Sequence, residues 1–156
     1  MKPIIESRLS SKISGLTIPK FRLTPNKVEL LIDIGKNSVI SLKGAINILH
    51  ESVNLKYNVN IKDLSKLSNL TSGKLLGSFK TTGKISGGID KLFVNGSSDI
   101  FESKTKYKAV FSKFKLKTAN ISLKSAHIEK ILYLKGIPSY IKGLIDIDAN
   151  LSTKGD

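Results

Sequence analysis

Val53-Asn54-Leu55-Lys56-Tyr57-Asn58-Val59-Asn60-Ile61 puts an apolar side chain at every odd position and a polar one at every even position. Period two is the signature of an extended strand, because successive side chains leave the backbone on opposite sides. Such a strand has one apolar face and one wet face, and it belongs to a sheet that is covered or greasy on one side only.

The same alternation extends in both directions. Val28, Leu30, Ile32 and Ile34 share a phase, as do Ile40, Leu42, Ile46 and Ile48, with Gly44 in step between them. Leu75, Phe79 and Ile85 run in phase with Gly77 and Gly83, and Ile145, Ile147, Ala149 and Leu151 alternate with Asp146, Asp148 and Asn150. Between Tyr107 and Thr118 the phase slips: Tyr107, Ala109 and Phe111 point one way, then Phe114 and Leu116 take over. A bulge near Ser112-Lys113 absorbs the extra residue in this reading.

Turn signals separate the runs at Thr24-Pro25-Asn26, Gly35-Lys36-Asn37, His50-Glu51-Ser52, Ser86-Gly87-Gly88 and Glu102-Ser103-Lys104. Links this short favour a meander of antiparallel hairpins. Two segments read as short helices, Asp63–Leu70 with leucines at three-residue spacing and Ser125–Lys135 stopped by Gly136 and Pro138, placed to plug an edge or an end of the sheet. The predicted fold is mainly β: a curled antiparallel sheet, groove-like, with two short helices. Gly44, Gly77, Gly83, Gly96 and Gly143 lie inside or at the start of strands and supply the hinges that such curling needs. The order of parts recurs, giving a single segment 1–156 with approximate repeats 27–86 and 92–151.

Composition narrows the chemistry. The chain has 156 residues, is 40% hydrophobic and 6% aromatic, and has no Trp or Cys, so disulfide and thiolate chemistry are excluded. Its formal net charge is +14, and Arg8 and Arg22 are the sole arginines among 26 basic residues. A lysine-dominated surface attracts anionic surfaces but lacks the guanidinium forks on which base-reading and phosphate-clamping proteins lean. No apolar run approaches the ~18–20 residues of a spanning helix, and Met1–Glu6 has no apolar stretch of an export signal.

Motifs for catalysis are absent. His50 and His127 have no metal-ligand spacing, and Asp146 with Asp148 reads as the wet side of a strand. Gly77–Lys84 fails as a phosphate loop, with five residues between its glycines and Ile85 where a hydroxyl would hold magnesium. Gly-x-Ser-x-Gly does not occur, and Asn69, Asn95, Asn120 and Asn150 open Asn-x-Ser/Thr triplets at the frequency expected of an Asn- and Ser-rich chain. Lys113, Lys115 and Lys117 read as a solvated strand face, without the stacking aromatics a nucleic-acid platform needs. The expectation is a protein that is not an enzyme, with no cofactor, no metal and no nucleic-acid partner.

The in-phase glycines, Asp63-Leu64-Ser65-Lys66-Leu67, the strand opening Leu76-Gly77-Ser78-Phe79, and Ile131-Leu132-Tyr133-Leu134-Lys135-Gly136-Ile137-Pro138-Ser139-Tyr140-Ile141-Lys142-Gly143-Leu144-Ile145-Asp146 together resemble the AsmA-like superfamily of Gram-negative envelopes, with its TamB-type and YhdP-type branches. The resemblance covers about residues 27–151 and rests on degenerate motifs. It implies a periplasmic β-groove, in a parent anchored in the inner membrane, that carries phospholipid acyl chains between inner and outer membrane. The anchor helix and most of the family's length are missing here, so the natural chain is expected to continue and to reach the membrane through other parts. Ile46, Ile48, Val53, Leu55, Tyr57, Val59, Phe79, Ile85, Ile145 and Ile147 are the expected groove lining. The competing expectation is a structural or adhesive β-repeat, or sandwich, with a closed core.

Overall fold

A computed structural model describes residues 5–6, 17–24, 26–35, 38–67 and 75–153. Ten strands form one open antiparallel sheet in which each pairs with the next along the chain. They are β1 (Ile5–Glu6), β2 (Thr17–Thr24), β3 (Lys27–Gly35), β4 (Ser38–Asn47), β5 (Ser52–Ile61), β6 (Phe79–Gly88), β7 (Leu92–Ser98), β8 (Lys104–Ser112), β9 (Lys115–His127) and β10 (Leu144–Ser152). β1 is a two-residue pair against β2; the other nine are full strands. Where the links are short they dictate the meander, because neighbours in sequence pair at least loop entropy, and the longer links after β5 and β9 keep the same order.

The helical expectation is corrected. Among the described residues there is one α-helix, α1 (Ile128–Leu134), of seven residues. Ser125 to His127 belong to β9, because Ser125 sits in a left-handed conformation (φ 54°) with its N–H bonded to the Asp146 carboxylate at 2.7 Å. The helix begins only at Ile128, whose N–H finds the Gly143 carbonyl at 3.0 Å. Of Asp63–Leu70, the described part is a 3₁₀ turn at Leu64–Leu67, and 68–70 lie outside the described residues. A second 3₁₀ turn, Ile100–Glu102, links β7 to β8.

The phase slip after Phe111 is a chain reversal rather than a bulge at Ser112-Lys113. Lys113 and Phe114 both take positive φ (48° and 62°) and form a two-residue turn between β8 and β9. That is the backbone a tight hairpin demands, since its twist matches the right-handed twist of the strands. The extra residue is Lys117, because Val110 faces Thr118 while Phe111 faces Leu116. Ser86-Gly87-Gly88 is likewise no turn: all three lie in β6, and the reversal falls at Ile89–Lys91, closed by Gly88 N–H to the Lys91 carbonyl at 3.0 Å. Leu75 and Gly77 precede β6 rather than belong to it.

The two ends of the sheet differ. The links after β5, β7 and β9 carry both 3₁₀ turns and α1, all at one end. There Leu64 N–H bonds the Gly77 carbonyl (2.8 Å) and Leu76 N–H the Leu134 carbonyl (3.1 Å), closing a small core of Ile34, Ile61 and Leu64 with Phe79, Val59, Leu75 and Leu134 around it. The links after β4, β6 and β8 are short hairpins at the opposite end.

Candidate lipid-binding face

The pairing registers sort every strand residue onto one of two faces. Gly44 faces Leu55, Leu55 faces Ile85, Ile85 faces Val94 and Val94 faces Ala109. Ala109 faces Ala119, which faces Leu151. Residues opposite one another on paired strands project to the same side, so one largely apolar face runs from β3 to β10. Among the described residues no second sheet packs on it. Most of its side chains are half-buried, shaded by their neighbours, while Ile147 on β10 is 41% exposed and Leu151 56%.

Nine of the ten expected lining residues share this face. Ile46 opposes Val53, Leu55 opposes Ile85, Val59 opposes Thr81, Phe79 opposes Ile61, and Tyr57 opposes Gly83. On the far strand Ile147 opposes Leu123, and Ile145 opposes Ala126 beyond a register shift. Ile48 does not belong: β4 ends at Asn47, and Ile48 sits in the following turn, 68% exposed. Val59 and Phe79 pack into the small core at the helical end and Leu55 is buried at 7% exposed, so the open lining lies with the rest. Leu92, Val94 and Phe111 join the face through the registers of β7 and β8. The alternation of β7 was readable in Leu92-Phe93-Val94, but its exposed Phe93 on the wet side masked the phase.

A polar island crosses the middle of this face. Tyr57, Gly83, Gly96 and Tyr107 stand in one cross-strand row over four strands. The two rings lean over the glycines, and their hydroxyls meet at 2.6 Å. Tyr57 also donates to the Asn95 carbonyl (3.2 Å), and Tyr107 shares a hydrogen bond with Thr81, whose hydroxyl donates to the Ser97 carbonyl (2.9 Å). Burial, and then the hydrogen bond and charge of Tyr107, push the Tyr57 phenol above its ordinary value. A Cβ at Gly83 would run into the Tyr57 ring and the Asn95 carbonyl, and one at Gly96 into both tyrosine hydroxyls and the Thr82 carbonyl. These two glycines are therefore places of close approach, and hingeing is not needed to explain them.

The wet face is cationic in a patterned way. Strands β4–β8 carry Lys43, Lys56, Lys80, Lys84, Lys104, Lys106 and Lys108 without a single Asp or Glu. Lys43, Lys56 and Lys84 lie directly opposite one another across three strands, an arrangement that repulsion disfavours. The strand acids lie toward the flanks: Glu29 bridges Lys43 at 2.9 Å, and Asp146 and Asp148 hold Lys124 at 3.6 and 2.7 Å. The Asp148 hydrogen bond raises the Lys124 amine above its usual value, and the same bond lowers the Asp148 carboxyl.

His50 lies in the turn after β4, its N–H on the Asn47 carboxamide at 3.1 Å. His127 caps α1 and meets Glu129 at 3.1 Å. Among the described residues no three His, Asp or Glu side chains are grouped as metal ligands, and no helix is long and apolar enough to cross a membrane. No family model, curated protein or solved structure matches the chain, so the AsmA-like resemblance rests on its own sequence motifs.

Proposed function

We propose that the apolar face binds phospholipid acyl chains, and that the sheet curls about them as one stretch of a lipid-conveying groove. The observation that carries this reading is the largely apolar face from β3 to β10 without a second layer among the described residues. Acyl chains suit such a surface. Each buried CH₂ contributes about 0.8 kcal/mol, and no directional bond has to break as a chain slides. The lysine-rich wet face tolerates anionic headgroups at the rim. From the AsmA-like resemblance the proposal takes its setting: the periplasm, within an inner-membrane-anchored parent, with phospholipid moving between the two membranes. A closed β-sandwich would need a partner sheet to cover the same face.

The test uses the two-residue period as its own control. Photo-crosslinking side chains placed at Val53, Ile85 or Ile147 are expected to capture phospholipid in cells, and those at Asn54, Lys84 or Asp148 to capture little. Equal labelling of both sets sinks the acyl-chain reading.

A further inference from the structure

The three hairpin turns between β4 and β5, β6 and β7, and β8 and β9 end level with one another. Each lies about seven residues beyond the Tyr57–Gly83–Gly96–Tyr107 row, roughly 24 Å along the strands. The outer hairpin between β2 and β3 stops short of them. The second and third turns are tied by Lys113 N–H to the Ile89 carbonyl at 2.8 Å.

Their tips carry the wrong residues for ordinary turns. Leu49 is 93% exposed, Phe114 76%, and Ile48 and Ile89 are exposed beside them. Phe114 is the telling case. It holds a left-handed conformation that Asn or Gly adopts far more readily, and its ring is out in solvent. Neither turn chemistry nor burial accounts for a Phe there, and a residue held against both is a functional candidate. Around the tips stand Lys91, Lys113, Lys115 and Lys117 against Glu51 and Asp90. Apolar side chains at a projecting end, ringed by an excess of lysine, are complementary to the boundary between anionic headgroups and acyl chains.

We infer that the hairpin end docks on an anionic phospholipid bilayer, inserting Leu49 and Phe114 with Ile48 and Ile89. This stands on the tips alone, and it gives the uncovered half of the apolar face an opening toward the membrane. Docking is read by vesicle binding and acyl-chain capture by crosslinking, so either can fail without the other.

The full chain is floated with vesicles of phosphatidylglycerol and phosphatidylcholine in equal parts, and with vesicles of phosphatidylcholine alone. The parent is expected to bind the anionic vesicles, and the double variant L49S/F114N to bind them at least about tenfold more weakly. Asn suits the left-handed turn position, so the variant keeps its fold, checked by circular dichroism and melting. A wet-face variant, K56Q/K84Q/K108Q, is expected to keep most of the binding. Three results overturn the inference: no binding by the parent, unchanged binding by L49S/F114N, or loss confined to the wet-face variant. A concentration-dependent dimer without lipid that L49S/F114N abolishes also overturns it, in favour of a second copy as the occupant.

Discussion

The two ends of this sheet solve the same problem differently. Toward the helical end, the apolar face is roofed by elements outside the strands: Leu64 of a 3₁₀ turn, Leu75 and Leu134 close over Ile61, Ile34 and Phe79. Toward the hairpin end the same face, with Ile46, Val53, Ile85 and Val94, has strands beside it and no described element above it. In β5 the strand pattern is alike on both sides of the tyrosine row, with Val53 and Leu55 on one side and Val59 and Ile61 on the other, so alternation alone does not decide whether a face is core. What decides is the link that follows the strand. Long links bring apolar residues back over the face, while two- to four-residue turns cannot.

Charge substitution gives the largest expected separation between the two halves. Ile61 is 3% exposed inside the small core, and a carboxylate there has no partner. Ile61→Asp is expected to lose about 3–5 kcal/mol, enough to unfold a domain of ordinary marginal stability. Val53→Asp, on the half-buried hairpin side, is expected to lose about 1 kcal/mol or less and to stay folded, because water reaches the carboxylate. Urea midpoints of the two variants beside the parent decide it. Equal losses would mean that the hairpin half is closed too, and the lipid reading would go with it.

The boundary row comes next in size. At Gly96 an added Cβ meets the Thr82 carbonyl and both tyrosine hydroxyls, so something must shift. Gly96→Ala is expected to destabilise the chain by about 1–3 kcal/mol, the usual range for overpacking. A neutral result in thermal melts would show that the two rings do not lie over the glycines as described.

Most of the sheet was legible because alternation marks one mainly apolar face in most strands. Val53 to Ile61 names its phase without help, and the short links name the meander. What failed in the reading has physical causes. Lys113-Phe114 disguises a turn, because neither residue is a usual turn former and Phe114 shares the phase of Leu116, so the slip reads as a bulge. Gly87-Gly88 invites a turn where the chain runs on as strand, since a glycine pair serves either. Ser125 to His127 carry helical spacing but are held in β9 by the Ser125 contact to Asp146, a partner 21 residues away that no local pattern reveals. The tyrosine hydroxyl pair spans 50 residues and depends on two glycines from intervening strands. Each half of it was visible, and their meeting was not.

The smallest expected effect concerns the strand at the open edge, which among the described residues pairs on one side only. β10 is tied to β9 by its backbone ladder and by the Lys124 grip on Asp148 and Asp146. The Lys124 hydrogen bond, the largest influence on Asp148, holds its carboxyl below the usual carboxylate value. A carboxyl whose folded value is depressed binds fewer protons folded than unfolded at intermediate pH. Its contribution to stability is therefore full above the unfolded value of about 3.9 and is lost as pH falls through the lower folded value. The groups are solvent-exposed, so salt screens the pair and the contribution is modest even at neutral pH. Asp148→Asn is expected to lower the urea midpoint slightly at pH 7 and low salt. The difference from the parent should shrink toward zero below the folded value, and also in high salt at pH 7. A difference that persists unchanged in acid would assign the effect of the substitution to packing or backbone propensity in β10, and the edge strand would then be held by its hydrogen-bond ladder alone.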